Sequence, residues 1–97
     1  APQQMRRAGF GLVSGTVSQV RRNQGGLWID LQGGLVLNIA LRQLPTFDQK
    51  QLARLQGAQV EARGWVLDRS QRAGVKAGQA RWMLPLTHPG MLKVIAR

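Results

Sequence analysis

The feature that most constrains this chain is a strict alternation between Leu27 and Arg42. Leu27, Ile29 and Leu31 alternate with Trp28, Asp30 and Gln32, Gly33-Gly34 follows, and Leu35, Leu37, Ile39 and Leu41 then alternate with Val36, Asn38, Ala40 and Arg42. Successive side chains on a strand point to opposite faces, so each Leu/Ile set shares one face. The Gly-Gly pair reads as a two-residue hairpin turn. These residues therefore predict an antiparallel hairpin with one apolar face. The other face carries Trp28, Asp30, Asn38 and Arg42.

The rest of the chain is read around this hairpin. Phe10 to Arg21 is rich in strand formers (Val13, Thr16, Val17, Val20) and is interrupted by Gly11 and Gly15, which suggests a bulge or bend. Arg22 to Gly26 reads as a turn. Thr46, with Gln49 three residues on, predicts a capped helix over Phe47 to Gln56 that ends at Gly57 and packs through Phe47, Leu52 and Leu55. A fourth strand is expected over Gln59 to Arg69, with Val60, Ala62, Gly64 and Val66 on one face. After a polar loop, Ser70 to Gln79, a fifth is expected over Ala80 to Thr87, with Trp82, Leu84 and Leu86 together in the core. Pro85 points to an edge or a bend there. Met91 to Ile95 is expected to cover an open end.

The order predicts an all-β fold: a five-stranded Greek-key barrel with one short helix between strands 3 and 4. An open α+β sheet is the alternative, and the glycine-broken first strand favours closure. With 97 residues there is room for one domain, assigned to 10–97, preceded by a flexible basic arm at 1–9 that includes Arg6 and Arg7.

Charge narrows the function. Fourteen Lys and Arg, eleven of them Arg, face four acids, for a net charge of +10. That imbalance favours a polyanionic partner through counterion release, and arginine's planar fork pairs with phosphate. The bland alternative is solubility. No cysteine is present, which excludes disulfides, thiol nucleophiles and Cys-based metal sites. No apolar run is long enough to span a membrane, so no membrane insertion is expected. No signal peptide is visible. The cytoplasm is the expected compartment, and a processed end at Ala1 would make the periplasm the alternative.

With five strands and a helix between the third and fourth, Phe10 to Thr87 resembles the OB-fold, Gly15 and Gly64 being the glycines that fit it. The stretches Val60-Glu61-Ala62-Arg63-Gly64-Trp65-Val66 and Arg81-Trp82-Met83-Leu84-Pro85-Leu86-Thr87-His88-Pro89 are similar to the end of OB domains that accompany bacterial thermonuclease-like proteins. The catalytic domains of that family carry an Asp-Gly-Asp-Thr string, which this sequence lacks. The resemblance thus implies an accessory binding role. It also implies a binding face on strands 2 and 3, walled by the loops joining strands 1–2 and 4–5.

Those elements hold Arg21 and Arg22 on one loop, Arg69, Arg72 and Lys76 on the other with Arg81 opening the next strand, and Trp28, Asn38 and Arg42 between, with Trp65 expected nearby. Basic loops around an aromatic platform suit single-stranded DNA or RNA, whose phosphates track the charge while bases stack on rings. Each tryptophan has a packing alternative. The acids Asp30, Asp48, Glu61 and Asp68 do not form a converging set: Asp30 is expected to pair with an arginine and Asp48 to sit in a helical first turn. His88 reads as a turn residue. The expectation is a non-enzymatic nucleic-acid-binding module with no cofactor and no metal. A protein-interaction domain docking through Met91, Leu92 and Ile95 is one alternative, and a degenerate hydrolase is another.

Overall fold

The alternating segments become strands and the strands close into a ring. A computed structural model describes residues 9–68 and 82–96. Its elements are β1 (Gly9–Asn23), β2 (Gly26–Leu31), β3 (Leu35–Ile39), a one-turn helix α1 (Gln49–Leu52), β4 (Gln59–Asp68), β5 (Trp82–Pro85) and β6 (Leu92–Ala96). The strand order is β1-β2-β3-β5-β4-β6, and β1 also pairs with β4. Five strands therefore form a barrel-like ring, and β6 is added to β4. Among the described strands only the β3–β5 pair is parallel.

Closure depends on β1. A straight strand of its 15 residues would be about 50 Å long. The molecule's largest extent is 34 Å. The strand bends instead and serves two partners, with Gly9 to Thr16 on β4 and Val17 to Asn23 on β2. The register shifts between Val17 and Gln19, which leaves Ser18 as the extra residue of a bulge. The expected bend is thus present, but at Ser18 rather than at a glycine. Ser18 Oγ secures it by donating to the Asp30 carbonyl at 3.1 Å.

The inward faces meet in one core. Val13 and Val17 of β1, Ile29 and Leu31 of β2, Leu35, Leu37 and Ile39 of β3, Val60, Ala62 and Val66 of β4, and Leu84 of β5 are all buried in it. Trp82 packs against this core beside Leu35, its partner in register, as expected. At the start of β2 the backbones of two strands come together. A Cβ on Gly26, whose φ is +112°, would lie 2.0 Å from the Ile39 carbonyl oxygen, so only glycine fits.

Four local expectations are corrected. The β2–β3 turn spans three residues, Gln32 to Gly34, because the Gln32 amide donates to Thr16 of β1 at 2.9 Å instead of continuing the hairpin. The helix expected over Phe47 to Gln56 is shortened to α1, preceded by a 3₁₀ segment (Leu41–Thr46), and is capped by Asp48 and not by Thr46. The Asp48 carboxylate accepts from the amides of Lys50 and Gln51, while Thr46 Oγ1 donates to the Gln43 carbonyl at 2.7 Å. The chain must then turn at once to bury Leu55 and to pair Gly57 and Ala58 with Val17, which stops the helix.

β5 lies inside the ring, so Pro85 does not mark an edge. Its nitrogen faces away from β3, to which Leu86 donates at 2.7 Å, and among the described residues β4 pairs with β5 through Leu67 and Asp68 and not opposite Pro85. Met91 packs on the core, but the residues after it form a strand, with Val60 opposite Val94 and Glu61 opposite Lys93. Leu92 is buried in that arrangement and is removed from the expected docking surface.

Candidate nucleic-acid interface

The outer surface of β2 and β3 is ordered by register into two rows that cross the strands. Arg21, Trp28, Asn38 and Pro85 form one row; Gln19, Asp30, Val36, Met83 and Leu67 form the other. Three of the expected site residues, Arg21, Trp28 and Asn38, are therefore neighbours on one face. Val36 is also on this face, yet it is fully buried and stands outside the core cluster.

Two of these side chains, Trp28 and Asn38, also hold the β1–β2 turn together with Asn23. Trp28 Nε1 donates to Asn23 Oδ1 at 2.9 Å, and the Gly25 amide donates to the same oxygen at 2.8 Å. Asn38 Nδ2 donates to the carbonyls of Gly25 (3.3 Å) and Leu27 (3.2 Å). A Cβ on Gly25 would sit 3.0 Å from Trp28 Cζ2, so the turn backbone lies directly against the indole. Trp28 is thus half-buried and fixed in orientation.

Arg21 is held as well. Its Nε and one terminal nitrogen donate to the two Asp30 carboxylate oxygens at 2.9 and 3.1 Å. This is the ion pair expected of Asp30. With 41% of the Arg21 side chain and 24% of the Asp30 side chain exposed, water screens it, and it is worth under about 1 kcal/mol.

The other expected residues are distributed differently. Arg22 is opposite Leu27, on the inward side of the hairpin end, and is exposed there. Arg42 falls in the 3₁₀ segment, since β3 ends at Ile39, so it is exposed but not in the row of Trp28. Trp65 is on a second wall, built from the first half of β1, β4 and β6. There it is 64% exposed and packs edge-to-face on Phe10, its cross-strand partner, with centroids 5.8 Å apart. Arg69, Arg72, Lys76 and Arg81 lie outside the described residues, as does the arm at 1–8.

The described ends of that segment nevertheless fix where it attaches. Asp68 and Trp82 face each other in register, and Trp82 also faces Leu35 at the start of β3. The β1–β2 turn is at the opposite end, where Leu27 faces Ile39. Arg21 and Arg22, expected on the first loop, are instead paired residues of β1, and the connection itself is only Gln24-Gly25. These two arginines and the attachment of the Asp68-to-Trp82 connection thus lie at opposite ends of the β2–β3 face. The sequence between Asp68 and Trp82 carries four cations, Arg69, Arg72, Lys76 and Arg81, and no acid.

The acids are spread across the barrel. Asp30 pairs with Arg21, Asp48 caps α1, and Glu61 faces Lys93. Among the described residues no three His, Cys, Asp or Glu side chains group as metal ligands would. His88 is a turn residue: its Nδ1 accepts from the Gly90 amide at 2.9 Å. No helix among the described residues is long and apolar enough to cross a membrane. In comparisons with known proteins, no family model matches the chain and no curated protein matches it.

Proposed function

We propose that this OB-like barrel is a non-catalytic module for single-stranded nucleic acid, DNA or RNA, bound with little sequence preference. The observation that carries the reading is the placement of Arg21, Trp28 and Asn38 in one row at the end of the face where β1 delivers Arg21 and Arg22, with the connection that follows Asp68 attached at the other end. A nucleic-acid strand laid along β2 and β3, across that row, passes the arginines and the rigid indole at one end and reaches the attachment of that connection at the other. Phosphates supply most of the affinity, with release of their counterions. Bases supply a sequence-tolerant stacking term of about 1–3 kcal/mol each.

The face is prepared for this in two ways. Trp28 is held by Asn23 and the turn backbone, so little rotamer entropy is lost when a base stacks on it. Arg21 is kept extended by Asp30 in an exposed, weak pair, from which a phosphate can displace the carboxylate at small cost.

The test is replacement of Arg69, Arg72 and Lys76 together by Gln. Binding of a fluorescent single-stranded oligonucleotide should weaken, and the slope of log K against log salt should fall by about 2, at roughly 0.7 per lost phosphate contact. Unchanged affinity and slope would remove this loop from the interface.

A further inference from the structure

The second wall carries a feature that the β2–β3 face does not explain. Phe10, Leu12, Trp65 and Ile95 are exposed at 61, 51, 64 and 52%, and all belong to the outer side of β1, β4 or β6. Phe10 opposes Trp65 and Leu12 opposes Arg63, so an aromatic pair is followed along the strands by an apolar–cationic pair. Two of the chain's five aromatic residues are thus spent side by side on solvent-facing positions. The edge-to-face packing of the two rings occupies one ring face and leaves broad π-surface open.

We infer that Phe10, Trp65 and Arg63 form a second single-strand contact, separate from the Trp28 row, on which a base stacks while Arg63 takes the adjacent phosphate. The inference rests on the nucleic-acid reading above and deepens it. Charge selects this occupant. A second copy of the chain would bring +10 against +10. The wall itself offers Arg63 and Lys93 against the single acid Glu61, which faces Lys93. A partner that is both flat-ringed and anionic satisfies the exposed rings and the cations together.

The experiment compares Trp65→Leu with Trp65→Phe for binding of a single-stranded oligothymidylate across a salt series. Leu keeps apolar cover on the wall but has no π-face, whereas Phe keeps the π-face. The inference expects Trp65→Leu to weaken binding about five- to a hundredfold with an unchanged salt slope, and Trp65→Phe to retain most of the affinity. Arg63→Gln should instead lower the magnitude of the slope by about 0.7. Wild-type binding with Trp65→Leu equal to it would overturn the second contact alone and assign the wall to a protein partner. No binding by the wild-type chain would overturn the nucleic-acid reading, and this inference with it.

Discussion

At the residue scale, the molecule is decided by a few side chains that serve both fold and face. Asn23 Oδ1 takes two hydrogen bonds, one from the Gly25 amide and one from the Trp28 indole, so the turn and the platform are set by one atom. Asn23→Ala should cost about 1–2 kcal/mol in urea unfolding, since two donors lose their acceptor. Gly26 is a stricter case, because its missing Cβ is replaced by the Ile39 carbonyl. Gly26→Ala should destabilise by roughly 2 kcal/mol or more by the same measurement, from backbone strain and overpacking together. Asp30 has the opposite profile. Asp30→Asn should cost under about 1 kcal/mol of stability yet tighten oligonucleotide binding, because it frees Arg21 and removes a negative charge from the face. Weaker binding by Asp30→Asn would mean that the pair must stay intact for Arg21 to be used.

At the scale of elements, legibility followed the length of the period. β2, β3 and β4 alternate over enough residues for the inward set to be read directly, from Leu27 to Ile39 and from Val60 to Val66. A helical period needs several turns to show itself, and Phe47 to Gln56 supplied helix-forming composition without them. The apolar residues Phe47, Leu52 and Leu55 are buried as expected, but through a turn of 3₁₀ and a turn of α. Asp48→Ala should therefore cost about 1 kcal/mol, the worth of an N-cap, in denaturant titration. β6 was hidden for a related reason: Met91 to Ile95 is too short for alternation to distinguish a strand from a cover. Leu92, 5% exposed, shows that this strand belongs to the core. Leu92→Ala should cost about 2–4 kcal/mol, whereas a mere cover would lose far less.

At the scale of the whole molecule, the closed ring separates what the sequence placed together. Trp65 was expected near the face that carries Trp28, but which wall each strand occupies is settled only by pairing. β1 divides its length between β2 and β4, and the two indoles come to different walls. Arg21, Trp28 and Asn38 were legible as a group because one hairpin and its neighbour hold all three. Arg42 was not separable from them, since nothing in the alternation marks Ile39 as the last paired residue. The positions of the arginines were legible in the sequence, whereas only the strand pairing shows that Arg21 and Arg22 and the attachment of the connection after Asp68 lie at opposite ends of the face. The central claim, that this barrel is an electrostatic binder of single strands, is tested most directly by salt-titrated fluorescence anisotropy of the wild-type chain with a labelled single-stranded oligonucleotide. The account predicts micromolar or tighter binding at low ionic strength, with log K falling linearly as log salt rises, by about 0.7 per phosphate contacted. Absence of binding at low ionic strength, or binding indifferent to salt, would contradict it.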